Sequence, residues 1–148
     1  HLIWQPSDRV ENHPAIEAWM AAHPSANILP PLALDVLDDS WPDAVYDAVF
    51  SANTAHIMGE PAVEAMFMGV GQVLRSGGHF LLYGPFNVGG DYTAPSNARF
   101  DQWLRAQDPA MGVRDVEWLT ELAESAGMML QSITDMPADN KTLCWVKV

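Results

Sequence analysis

Short apolar runs alternate along this chain with segments whose apolar residues recur at helical spacing. The runs with strand character lie at residues 2–5, 32–36, 44–52, 79–83, 129–134 and 142–148. Between them, the helical pattern predicts helices that begin near Pro14, Pro61, Ser96 and Asp115. Ile16, Trp19 and Met20 mark one face of the first helix. Gly77-Gly78 and Gly127 are typical of helix ends.

This alternation predicts an α/β fold: a Rossmann-like, doubly wound and mostly parallel sheet with helices on both faces. The last two strands are joined only by residues 136–140, which are too few for a helical crossover. We therefore expect these strands to pair as an antiparallel hairpin at the C-terminus. The 148 residues, of which 49% are apolar, are expected to form one domain over residues 1–148.

Charge and composition narrow the classes of function. The net charge of -12 argues against nucleic acid as a partner. No apolar stretch has the length of a membrane span, and no secretory signal is present, so we expect no membrane partner and a cytoplasmic location. The five histidines are scattered and no metal site is expected. Cys144 lies in an apolar run and is expected to be buried filler rather than a reactive thiol.

Ligands of open parallel sheets bind beyond the carboxyl ends of the strands, and acidic residues follow the first two strands here. Asp8 could accept hydrogen bonds from ribose hydroxyls, or it could cap the next segment. Asp35, followed by Val36, could accept from an adenine amino group, or it could be a solvated turn residue. These three residues are the candidate cofactor-binding positions in this half of the chain.

Polar residues also follow the third strand. Ser51 and Asn53 end it, and Asn53 suits either a ligand contact or an ordinary turn. His56 is a candidate general base near neutral pH, although a lone histidine after a strand often has only a structural role. We take Asn53 and His56 as candidate catalytic residues and Ser51 and Asn53 as candidate cofactor contacts.

A long connection follows the fourth strand and is expected to carry specificity. Phe86 could cover a substrate ring or simply pack. Tyr92, Asn97 and Arg114 are the other candidate substrate contacts, with surface or capping roles as the alternative.

Several segments resemble a methyltransferase-like family catalogued as a domain of unknown function. They are WQPSD, FSANTAHIM, LLYGPF, TAPSNARFDQWLRAQDPAMGVRD and MPADN, and together they cover nearly the whole chain. The resemblance implies a class I methyltransferase fold with S-adenosylmethionine as cofactor. It implies that Asp8 holds the ribose, that Asp35 approaches the adenine, and that residues 51–53 border the methionine part of the cofactor.

Two departures from the family pattern affect these expectations. Asp139 stands where a second asparagine is expected, and no strand with a glycine-rich turn precedes His1. We therefore expect an N-terminally incomplete unit whose sheet lacks a central strand. Such a gap predicts association with a missing N-terminal segment, a rearranged strand pairing, or a homodimer.

The function expected from these observations is S-adenosylmethionine-dependent methyl transfer to a small-molecule acceptor. The alternative is a truncated, non-catalytic methyltransferase-like scaffold or interaction module. A nicotinamide-dependent oxidoreductase is disfavoured, because the predicted antiparallel ending does not suit it and no catalytic Tyr–Lys pair is recognisable. Only two lysines, Lys141 and Lys147, are present.

Overall fold

The computed structural model describes residues 1–38 and 40–148. The chain divides into two compact units, residues 1–41 and 42–148. Parallel strand pairs, helices and an antiparallel C-terminal hairpin give the mixed α/β fold that the sequence predicts.

The first unit is built on a short parallel strand pair. Strands β1 (Ser7–Asp8) and β2 (Leu32–Ala33) pair with Asp8 opposite Ala33. The predicted strand at residues 2–5 contributes only a bridge from Trp4 to Ile28. The ladder of backbone hydrogen bonds runs on through these positions, but prolines 6, 30 and 31 have no N–H to donate. These prolines interrupt the ladder before β1 and β2, and β2 ends at Ala33, three residues earlier than predicted.

Helix α1 (His13–Ala22) follows a 3-10 turn at Val10–Asn12 and carries Pro14 in its first turn, as predicted. Ile16 and Met20 are half-buried, and no residue of α1 is fully buried. Trp19 is 69% exposed and stacks on His23 one turn later. Apolar spacing alone thus identified the helix but not what covers it.

The second unit contains a four-stranded sheet. Strand β3 (Tyr46–Ala52) lies parallel to β4 (Leu74–Gly84), and β4 lies antiparallel to β8 (Asn140–Lys147). Strand β7 (Met128–Met136) forms the predicted hairpin with β8, so the strand order is β3-β4-β8-β7. A small parallel pair joins β5 (Phe86–Asn87) to β6 (Arg114–Asp115).

Three helices belong to this unit: α2 (Glu60–Val73), α3 (Pro95–Gln107) and α4 (Val116–Ser125). Asp115 occupies the N-cap position of α4 as predicted, but its side chain makes no capping bond. Ser96 lies inside α3 rather than capping it. Helix α2 ends close to the predicted position, and the predicted turn at residues 75–78 is part of β4, with Gly77 at a φ of 76°.

The core lies where α2 and α4 cover the sheet. Phe67 of α2, Phe80 of β4 and Trp145 of β8 are fully buried and meet with ring centroids 5.2 to 5.6 Å apart. A Cβ added to Gly71 would lie 2.5 Å from the carbonyl oxygen of Ala126. The glycine therefore allows α2 to approach the end of α4 more closely than any other residue would.

Candidate functional site

Strands β3 and β4 end side by side, and the chain leaves β3 through an unusual backbone conformation. Ala52 pairs with Tyr83, and the backbone N–H of Asn53 donates to the carbonyl oxygen of Tyr83 at 2.9 Å. Asn53 then adopts a φ of 57°, a left-handed conformation that asparagine tolerates better than most residues. The hydroxyls of Ser51 and Thr54 bond at 2.7 Å and close the turn. These contacts hold the backbone of Asn53 at the carboxyl ends of β3 and β4.

His56 lies in the next turn and is only 5% exposed. Its ring meets Phe100 edge to face, with centroids 5.2 Å apart. Its Nδ1 lies 3.6 Å from the point where a Cβ on Gly84 would stand, so the glycine leaves room beside the imidazole. Burial, and then the positive charge of Arg114, lowers the pKa of His56. The imidazole is consequently neutral at neutral pH and can accept a proton.

A cavity of about 240 Å³ opens at these strand ends. We call it the amide cavity because three asparagine side chains contribute to its wall. Its lining residues are Asn53, Pro85, Ser96, Asn97, Phe100, Ala138 and Asn140. The lining therefore combines an aromatic ring with neutral hydrogen-bonding groups, and no charged residue belongs to it.

The turn between β7 and β8 closes one side of the amide cavity. Ala138 and Asp139 both have a φ of 59°. Helix α3 holds this turn, because Ser96 donates to Asp139 Oδ2 at 2.6 Å and Asn97 donates to the Asp139 carbonyl oxygen at 3.2 Å. On the other side, Asn140 Nδ2 donates to the Tyr83 hydroxyl at 3.2 Å. Asp139, the departure from the family pattern, is thus a structural anchor here.

A second and larger cavity, of about 540 Å³, lies beside α3. We call it the arginine cavity. Its lining residues are Glu60, Asn87, Gly90, Tyr92, Asp101, Arg105, Val113, Arg114, Asp115 and Trp118. Helix α3 contributes to both cavities: Asn97 and Phe100 face the amide cavity, whereas Asp101 and Arg105 face the arginine cavity.

Asp101 is buried in the wall of the arginine cavity and receives three kinds of donor. Tyr92 OH donates to it at 2.6 Å, the Val113 N–H at 2.8 Å and Arg105 Nε at 3.1 Å. Burial alone would raise the pKa of Asp101, but these donors outweigh it and hold the pKa below the ordinary range. The same carboxylate raises the pKa of Tyr92.

Arg114 is 6% exposed and is committed to backbone oxygens. Its guanidinium donates to the carbonyls of Ala55 at 3.2 Å, Met58 at 2.6 Å and Ala110 at 2.8 Å. Glu60 lies 3.7 Å away as an ion-pair partner, and the ring of Trp118 lies 6.0 Å from the guanidinium carbon. Arg114 therefore clamps the segment that carries His56.

The candidate substrate contacts separate into three places. Asn97 lines the amide cavity, as does the candidate catalytic residue Asn53. Tyr92 and Arg114 line the arginine cavity. Phe86 is 1% exposed and packs within the core, which was the alternative left open for it. Three of the four predicted substrate contacts are thus divided between two cavities on either side of α3, and Phe86 lines neither.

The first unit brings Asp8 and Asp35 to the same end of its parallel strand pair. Asp8 Oδ1 accepts from the Arg9 N–H at 2.7 Å and from Asn12 Nδ2 at 2.9 Å, whereas the N-cap position of the following turn belongs to Arg9. Asp35 Oδ1 accepts from the Leu37 N–H at 3.0 Å, and Arg9 Nε lies 3.7 Å from its other oxygen. Val36 follows and is half-buried. Asp8 and Asp35 are therefore close enough to share Arg9.

Sequence reasoning missed several residues of the amide cavity, among them Pro85, Phe100 and Asn140. Pro85 belonged to the segment read as a turn, and Phe100 was assigned only to a helix face. The signal for Asn140 was the tight turn MPADN, because a hairpin there places the first residue of β8 opposite the end of β4. That register becomes visible only once the strand order is known.

No helix in the described part of the chain is both long and apolar enough to span a membrane. Among residues 1–38 and 40–148, no group of three or more histidine, cysteine, aspartate or glutamate side chains is arranged to hold a metal ion.

The sequence profile of the family described as "Protein of unknown function (DUF938)" matches residues 1–147. The chain belongs to this family. The match covers almost the full length of the chain, and the description of the family names no activity.

Solved structures with the same fold include three methyltransferases. An O-methyltransferase family protein from Burkholderia thailandensis is 14% identical with a TM-score of 0.86, the match covering 99% of this DUF938 chain and 44% of that one. The S-adenosylmethionine-dependent methyltransferase SibL is 19% identical with a TM-score of 0.80, and the match covers 99% of this chain and 43% of SibL. CalO1 of calicheamicin biosynthesis, in its SAH-bound form, is 16% identical, with a TM-score of 0.75 and coverage of 99% and 42%.

These likenesses establish the class I methyltransferase fold that the sequence predicted. The chain spans less than half the length of the three solved proteins. At such identities the likeness extends to the fold alone.

Proposed function

We propose that this DUF938 protein takes part in S-adenosylmethionine-dependent methyl transfer to a small-molecule acceptor. The observation that carries the proposal is the amide cavity at the carboxyl ends of β3 and β4, since open α/β sheets bind their ligands at this edge. The solved proteins of the same fold that bind or use S-adenosylmethionine support the choice of cofactor.

The first unit offers groups that fit the nucleoside part of the cofactor. Asp8 uses Oδ1 for the Arg9 and Asn12 donors, and within the described residues its Oδ2 has no partner. That oxygen can accept from a ribose hydroxyl. We assign Asp35 to the adenine amino group and Val36 to apolar contact with the ring. The carboxylates suit a nucleoside, whose hydroxyls and amino group donate hydrogen bonds.

The second unit supplies the groups proposed for the acceptor. S-adenosylmethionine, when bound, supplies an electrophilic methyl group. Asn53 and Ser51 are assigned to the edge nearest that group, and Asn97 to the acceptor. We assign His56 to accept the proton of an acceptor hydroxyl, since its lowered pKa would keep it unprotonated. Orienting the two reactants is the main task left to the protein.

A second candidate is a non-catalytic scaffold or interaction module. It is favoured by one observation: β3 lies at an end of the strand order β3-β4-β8-β7, and an edge strand can pair with a further chain. Under this proposal the sheet would bind a further segment or a second copy of the chain.

Isothermal titration calorimetry with S-adenosylmethionine on the 148-residue protein tests the first proposal. Asp8→Asn should weaken binding about 10- to 100-fold, the loss expected for hydrogen bonds to a charged group. Glu17→Gln, at an exposed position of α1, is the matched control and should bind as the parent does.

Binding of S-adenosylmethionine that Asp8→Asn leaves unchanged would contradict the assignment of the ribose. If the parent protein binds neither S-adenosylmethionine nor its demethylated product, the methyltransferase proposal fails and the scaffold is favoured. Size measurement in solution then decides between a monomer and the proposed association.

A further inference from the structure

The arginine cavity is a site apart from the amide cavity, and all of its lining residues belong to the second unit. Helix α3 stands between the two cavities. Nothing in the proposed methyl transfer requires a space of about 540 Å³ on this side of the helix. A volume of this size lies in the range of ligand-binding pockets.

One buried polar atom in its wall lacks a partner. Asn87 is 9% exposed, and its Nδ2 donates to the Val113 carbonyl oxygen at 3.4 Å. Its Oδ1 is buried without any hydrogen-bond partner in the described part of the chain. A buried acceptor without a partner is unfavourable, so such atoms usually have a reason to persist. A ligand that donates from nitrogen would satisfy it.

A second group in the same cavity offers donors. Arg105 is bound to Asp101 through Nε, whereas its two terminal nitrogens make no hydrogen bond within residues 1–38 and 40–148. Its side chain is 52% exposed, and Asp101 holds the guanidinium in place. A guanidinium fork held in this way suits a carboxylate.

The other lining residues of the arginine cavity supply negative charge and aromatic surface. Glu60 and Asp115 provide carboxylates that favour a positive group, in addition to the acceptor on Asn87. Trp118 is half-buried and Tyr92 contributes a second aromatic side chain. The cavity thus combines an anion-binding fork, a cation-binding side and aromatic walls.

We propose that the arginine cavity binds an α-amino acid with an apolar or aromatic side chain. Arg105 binds the carboxylate, Asn87 Oδ1 accepts from the ammonium, and Trp118 and Tyr92 contact the side chain. The arrangement is a second ligand site of this protein, and it does not depend on the cofactor or on methyl transfer.

Phenylalanine is the probe, with two compounds that each lack one charged group. Titration followed by protein NMR should show phenylalanine shifting signals of residues around Arg105 and Trp118. Hydrocinnamate lacks the ammonium and phenethylamine lacks the carboxylate, so each should bind at least 10-fold more weakly. Equal binding of all three compounds would overturn the proposal, as would no binding of phenylalanine at millimolar concentration.

Variants test the two named contacts. Asn87→Leu and Arg105→Gln should each weaken phenylalanine binding at least 5-fold. Arg99→Gln, on an exposed position of the same helix, should bind as the parent does. Asn87→Leu removes the unmet acceptor, so its melting temperature should stay within a few degrees of the parent. A folded Asn87→Leu protein that binds phenylalanine at full strength contradicts the assignment.

Discussion

Arg114 Nη2 donates to the carbonyl oxygen of Met58 at 2.6 Å, joining two segments that are 56 residues apart in the chain. The same guanidinium binds the Ala55 carbonyl, so the two contacts bracket His56. A residue selected from the sequence as a substrate contact therefore holds the turn that carries the candidate base. Its effect on any activity is expected to pass through the position of His56.

Arg114→Met should destabilise the second unit, because it leaves the buried carbonyl of Ala55 and the more accessible carbonyls of Met58 and Ala110 without their donor. We expect a loss of about 2–4 kcal/mol in the free energy of unfolding, as for other buried groups deprived of partners. Urea denaturation provides the measurement. Arg99→Met is the control and should change stability little. An Arg114→Met protein as stable as the parent would contradict this prediction and show that water can replace the hydrogen bonds of Arg114 to the three carbonyls.

Asp101→Asn should also lower stability, by about 2–4 kcal/mol. The carboxylate accepts from Tyr92, from the Val113 N–H and from Arg105, and an amide would turn an NH₂ group toward one of those donors. Glu124→Gln, an exposed position on α4, removes one charge without these contacts and is the matched comparison. Thermal unfolding of both variants distinguishes the lost bonds from the general change in charge.

His56 should make stability depend on pH in a defined direction. Its folded-state pKa lies below the ordinary value near 6.5, so the unfolded chain takes up the proton first as the pH falls. The contribution is therefore present above about pH 6.5 and is lost as the pH falls toward the folded-state pKa. His56→Phe should flatten this part of the profile. Denaturation at a series of pH values measures the difference.

How much the sequence could predict differs between its parts. The C-terminal hairpin followed from a connection too short for a crossover, and the end of α2 followed from the glycines at 77 and 78. The buried face of α1 could not be predicted, because periodicity shows that Trp19 and Ile16 share a side and not whether anything covers it. Prolines 6, 30 and 31 interrupt the hydrogen-bond ladder before the first two strands through their missing donors.

The candidate site was predictable only at the strand ends. Asn53 and Asn97 were selected from the sequence and lie in one cavity, Asn53 directly after β3 and Asn97 in the first turn of α3. The separation of Tyr92 and Arg114 into another cavity depends on where α3 lies. Asn140 depends on the register of β8 against β4. Such long-range placements leave no local pattern in the chain.

Asn53 allows its backbone role and its side-chain role to be tested separately. Its φ of 57° is easy for glycine and strained for alanine. Asn53→Ala should therefore cost about 1–2 kcal/mol of stability, whereas Asn53→Gly should remain close to the parent. Both variants lack the amide that lines the amide cavity. If the amide orients the reactants, both should lose methyl transfer by a similar factor of about 10 or more, despite their different stabilities. Activity that follows stability instead, with Asn53→Gly fully active, would reduce Asn53 to a turn residue.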